Sequence, residues 1–176
     1  MRIFALFLKI LIMPNNTEQK LQPGVYYVNY PNYNVGAGIS PIPIDIGHAG
    51  MLVVNENGPH DYYEYGNYTD NVLGVTKPNN MQGNYRSRQI EGADLDTVSK
   101  NLLGIQGPEA NNNVRLTYVE DADPQKAAEY YKQDANNIDR KNYQLCFPGL
   151  KNCGSQAASA INYARNKKNS NFNFAK

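Results

Sequence analysis

The segment Gly47-His48-Ala49-Gly50-Met51-Leu52-Val53-Val54 limits what this chain can fold into more than any other. Side chains alternate along a strand, so one face carries His48, Gly50, Leu52 and Val54 and the other carries Ala49, Met51 and Val53. Apart from His48, both faces are apolar or small, the pattern of a strand covered on both sides. After a turn at Asn55-Glu56-Asn57-Gly58-Pro59 the chain returns as Asp61-Tyr62-Tyr63-Glu64-Tyr65-Gly66, and the two runs read as a hairpin. Glu64 then falls near His48 on the neighbouring strand, to within about a residue or two of register.

A second stretch supplies a covering layer. From Asn152 to Arg165, the small residues Ala157, Ala160 and Ala164 recur with Ile161 at helical spacing and make a narrow apolar face suited to close packing on a sheet. Asn152 is the expected N-cap. Cys153 then sits in the first turn, where unpaired N–H groups and the positive end of the helix dipole stabilise a thiolate. A thiolate nucleophile needs a base, and the chain has two histidines. His48, on the buried strand, is the better candidate; His60 follows Gly58-Pro59 in what reads as a turn and is the second choice. Glu64 is placed to hold the imidazole in its working tautomer, with Tyr63, Tyr65 or Asn67 as alternatives after a register slip. Cys153, His48 and Glu64 thus read as nucleophile, base and orienter. A single cysteine at a helix start is commonly a small buried hydrophobe, and a single strand histidine is commonly structural. It is their joint occurrence, each in the setting the chemistry requires, that favours catalysis.

These residues carry a resemblance. Gly47-His48-Ala49-Gly50 leading into an apolar strand, then Tyr62-Tyr63-Glu64-Tyr65-Gly66, with Asn152-Cys153 opening a small-residue helix far downstream, resembles the circularly permuted papain-like hydrolases related to NlpC-type cell-wall peptidases. The ordinary arrangement places the cysteine helix before the histidine strand; here it follows. The resemblance covers residues 40–66 and 145–165, and type VI secretion effectors and polymorphic-toxin domains include members with this order. It implies an α+β fold with an antiparallel sheet packed against the helix that bears the nucleophile. It also implies amide hydrolysis through an acyl-enzyme thioester, often in peptidoglycan stem peptides, by a secreted effector acting in the periplasm of a target bacterium. The partners it implies are a peptidoglycan peptide or other amide substrate, an immunity protein and a secretion-machine carrier.

Composition narrows the field without choosing within it. With 176 residues, one catalytic domain over 21–168 is expected, preceded by a short leader or disordered stretch over 1–20 and followed by a frayed tail over 169–176. A net charge of +1 gives no electrostatic case for nucleic acid. The 14 tyrosines and absence of tryptophan suit core edges whose hydroxyls reach water, and equally a groove for a peptide or sugar. The apolar run Ile3–Met13 is far below the roughly 20 residues that span a bilayer, so stable membrane insertion is not expected. It resembles a signal-peptide core, but Lys9 interrupts it and no small-x-small cleavage site follows; Met13 is an alternative start. Two Cys and two His without paired ligand spacing argue against zinc, and no phosphate-binding glycine loop is present, so no cofactor is expected. A disulfide between Cys146 and Cys153 is the competing use of the cysteines and would block the nucleophile.

Along the rest of the chain, Val25–Tyr30 reads as a strand closed by Pro31, and residues 31–45 as a loop with an extended Ile42-Pro43-Ile44-Asp45-Ile46 lead into the histidine strand. Asp45 is read as a solvated carboxylate, or as a polar contact beside the base. Residues 67–84 form a long connection that overhangs the site. Tyr85–Ile90 is a strand whose two arginines, Arg86 and Arg88, are exposed; they serve solvation or meet a substrate carboxylate. Leu95, Val98 and Leu102 repeat at helical spacing, with Asp94 as cap and Gly104 as stop. Val114–Val119 is a strand, and a helix opens at Asp123-Pro124 and runs to about Ile138, with Ala127, Tyr130, Tyr131 and Ile138 inward. Three functions remain open: a peptidoglycan amidase or endopeptidase; a papain-like protease, deamidase or acyltransferase acting on protein or lipid; and a non-catalytic peptide- or glycan-binding module.

Overall fold

The computed structural model describes residues 19–35, 44–45, 47–66, 83–137, 139 and 152–165. The expectations for the leader, the 67–82 connection, Ile138, Cys146 and the tail fall outside them. The described elements, in chain order, are β1 Gly24–Tyr30, β2 Asn34–Val35, β3 Ile44–Asp45, β4 His48–Val54, β5 His60–Gly66, β6 Asn84–Ile90, α1 Leu95–Gln106, β7 Arg115–Val119, α2 Pro124–Asn136 and α3 Cys153–Ala164. The fold is α+β, with a five-stranded antiparallel sheet in the order β6-β5-β4-β1-β7 and β2 paired with β3 apart from it.

The two-faced reading of His48–Val54 holds: β4 is central and buried throughout. One sheet face, with Val25, Tyr27, Ala49, Met51, Val53 and Tyr63, packs against Ala127, Tyr131 and Ala135 of α2 and Ala157, Ala160, Ile161 and Ala164 of α3. The opposite face, with Tyr26, Val28, Tyr30, Leu52, Val54 and Tyr62, packs against Val98 and Leu102 of α1. Met51 and Leu52 have no solvent exposure and point to opposite faces. Burying a side chain of that size is worth about 2–3 kcal/mol.

Local signals explain where the helices begin. The Asn152 side chain accepts from Ser155 N at 2.8 Å, while Ser155 Oγ accepts from Asn152 N at 2.9 Å, a reciprocal capping box that fixes the first turn of α3. The Asp123 carboxylate caps α2 through the N–H groups of Gln125 and Lys126, with Pro124 at the first helical position. The two helices are tied to β6 by a partly buried polar cluster. Asp134 accepts from the Tyr85 hydroxyl and, at 3.4 Å, from Gln156 Nε2.

The expected stop of α1 at Gly104 is corrected: the helix runs on to Gln106 and ends at Gly107, which takes a positive φ of 69°. Gly104 is exposed and meets nothing nearby, so it only weakens the helix by about 1 kcal/mol. The left-handed turn that ends a helix is made at Gly107 instead. His60 is also corrected, from a turn residue to the first residue of β5, and it is buried. Arg86, read as exposed, is half-buried, whereas Arg88 is exposed.

Candidate active site

The site lies where β4 begins and α3 begins. His48 is the first residue of β4, and Cys153 the first of α3. The β4–β5 register pairs Gly50 with Glu64, which puts Glu64 on the same sheet face as His48 and on the neighbouring strand. His48 Nε2 lies 3.1 Å from Glu64 Oε2, with both side chains buried. The imidazole also hydrogen-bonds the Cys153 side chain, while its Nε2 faces the carboxylate. Cys153 carries a thiol rather than a disulfide. The structure thus brings together the three residues singled out from the sequence.

Burial disfavours a charged imidazole, but the neighbouring Cys153 sulfur, and then Glu64, outweigh it and raise the His48 pKa to about 10. At neutral pH this favours the imidazolium. Aromatic rings wall the imidazole: Tyr30 stacks at 5.8 Å between centroids, and the half-buried Tyr33 lies tilted at 5.0 Å. The Tyr33 phenol is pushed up by burial, then by Glu109, Glu64 and Cys153. Tyr27 approaches the sulfur from the sheet; burial and then the Cys153 charge push its phenol well above the ordinary value.

Glu64 has further partners that the sequence did not reveal. Gln106 Nε2, from the last residue of α1, donates to Glu64 Oε2 at 2.6 Å and to the Tyr62 hydroxyl at 3.3 Å. The Tyr62 hydroxyl is itself 3.4 Å from Glu64 Oε2. Tyr62 reaches across Gly50, where any Cβ would collide with the phenol ring. A glycine inside a strand signals such a close approach, so Gly50 was the sequence clue to Tyr62. The Tyr30 hydroxyl lies beside Tyr62 and Gln106 but makes no hydrogen bond of normal geometry.

His60, the alternative base, is committed elsewhere. Its Nδ1 accepts from Asn55 N at 3.2 Å, and its Nε2 lies 2.8 Å from the Gly92 carbonyl. Among the described residues no three His, Cys, Asp or Glu side chains are grouped to hold a metal ion, and no helix is long and apolar enough to cross a membrane.

The fold and site define an α+β protein with a cysteine, a histidine and a glutamate converging at one end of its central strand. The family model for type VI secretion system effectors of the TseH-like kind matches residues 26–170, and the chain belongs to that family. Comparison with curated proteins and with solved structures found no match.

Proposed function

We propose that the protein is a cysteine amidase or endopeptidase with a papain-like, NlpC-type, circularly permuted architecture. It cleaves an amide in peptidoglycan peptides in the periplasm of a target bacterium, as an antibacterial effector. The observation that carries this reading is the His48 ring set between the Cys153 sulfur and the Glu64 carboxylate. Membership of a type VI effector family supports export into another cell. The histidine strand preceding the cysteine helix matches the permuted order.

In the reaction, His48 holds the Cys153 proton and the thiolate attacks the amide carbonyl carbon. The oxyanion forms at the start of α3, where first-turn N–H groups and the helix dipole favour negative charge. His48 then protonates the departing amine, leaving a thioester on Cys153. Water, deprotonated by His48, hydrolyses that thioester and restores the thiol. Glu64 keeps the imidazole oriented toward the sulfur and offsets the imidazolium charge.

The test is digestion of purified peptidoglycan by the wild type and by Cys153→Ala, with released fragments identified by mass spectrometry. Cleavage of a stem or cross-bridge amide by the wild type alone supports the reading and identifies the bond. A folded, reduced wild type that releases nothing sinks peptidoglycan as the substrate. A thiol-directed probe on Cys153 then separates a hydrolase of protein or lipid amides from a silent binding module.

A further inference from the structure

The Glu64 carboxylate is 2% exposed, and an ionised carboxylate so deeply buried is costly unless donors surround it. Its shortest contact among those described is to Gln106, which belongs to a helix on the other sheet face from the nucleophile helix. A carboxylate only accepts, so Gln106 must present its amide N–H rather than its carbonyl. That donor falls on Oε2, the oxygen His48 uses. Gln106 is itself buried and is fixed by the end of α1, one residue before the Gly107 turn.

We infer that Gln106 is a positioning residue for the Cys153 and His48 pair, its amide holding Glu64 as an oriented anion against the imidazole. The inference rests on the thiolate chemistry proposed above. Without the amide, the carboxylate loses its shortest described donor, its proton affinity rises, and it is a weaker counter-charge to the imidazolium. Other groups face this spot. Tyr62 and Tyr30 present phenols, Arg86 lies opposite Glu64 in the β5–β6 register, and Tyr33 lies against the His48 ring with Glu109 near it. Arg86 adds positive charge beside Glu64, and Gln106 donates directly to the oxygen that faces His48.

The experiment measures iodoacetamide alkylation of the Cys153 peptide by mass spectrometry from about pH 5 to pH 11, a readout that needs no substrate. It compares wild type, Gln106→Met, Gln106→Glu and His48→Ala, with circular dichroism confirming the fold of each. Gln106→Met keeps the shape and removes the donor; the pH of half-maximal alkylation is expected to rise by about one unit, a roughly tenfold loss of rate below that midpoint. Gln106→Glu retains a donor only while one proton is shared with Glu64. It should track the wild type in acid and depart from it as that proton is lost. Profiles of folded Gln106→Met and Gln106→Glu that superimpose on the wild type overturn the inference and leave Gln106 as core filling. Should Gln106→Met fail to fold, the isosteric Gln106→Glu decides alone. If His48→Ala shifts the profile and the Gln106 variants do not, only this inference fails. If His48→Ala also leaves it unmoved, the thiolate pairing and this inference fall together.

Discussion

The two ends of the β4–β5 hairpin each bury a histidine, His48 at 7% exposure and His60 at 5%, yet they are built for opposite purposes. His60 accepts a backbone N–H on Nδ1 and faces a backbone carbonyl with Nε2. Both contacts are to backbone, so the imidazole serves as a spacer joining the hairpin turn to the segment after β6. His48 meets a carboxylate at Nε2 and also hydrogen-bonds the Cys153 side chain, whose thiolate form, like the carboxylate, gains from a positive ring. Equal burial therefore says nothing about chemistry; the ability of the partners to exchange a proton with the ring separates the two.

The sharpest way to break this comparison is to remove each ring in turn. Cys153→Ala and His48→Ala should each lower amide turnover by about 10⁴-fold or more while leaving a folded protein. Glu64→Gln keeps the shape and removes the charge, and a loss of about 10²–10⁴-fold in kcat/KM is expected, together with a lower pH for its alkaline limb. That limb is itself a prediction. In the wild type, kcat/KM should fall as pH rises through about 10, because the imidazolium proton needed by the leaving amine is then lost. The same sign governs stability. The His48 pKa is raised on folding, so its contribution is complete below the unfolded value near 6.5 and disappears as pH rises through about 10. A melting-temperature series across that window measures it, and His48→Ala should flatten the series.

Smaller effects sharpen the contrast. Gly50→Ala should displace Tyr62 and reduce kcat/KM by about 10-fold through the Glu64 contact, with little change in KM. His60→Ala should leave turnover per folded molecule within about 3-fold of wild type but lower stability by about 1–3 kcal/mol in urea unfolding. An activity loss at His60 as large as at His48 would overturn the division of roles. Asn152→Ala removes half of the α3 capping box and should cost about 1 kcal/mol, with a modest slowing of Cys153 alkylation.

Much of this was legible because it is local. The unbroken apolar alternation of β4, the turn after it and the alanine spacing of α3 each encode their own element, and Asn152 with Ser155 spells out the cap. Glu64 came within reach because hairpin register links two neighbouring strands. Gln106 was missed for the opposite reason. Its partner lies on another element, no periodicity marks it, and reading Gly104 as a stop removed the last turn that carries it. Tyr33 was missed because a loop residue gains its place from tertiary packing alone. His60 was misread because Gly58-Pro59 announces a turn without saying how soon the strand resumes.

His48 lies on an early strand and Cys153 on the last described helix, so the pair is joined by tertiary packing alone. The sulfur gains its imidazole only when α3 docks its alanine face on the finished sheet. A chain in which α3 is undocked carries an ordinary thiol, so the reactivity of Cys153 reports whether the fold is complete.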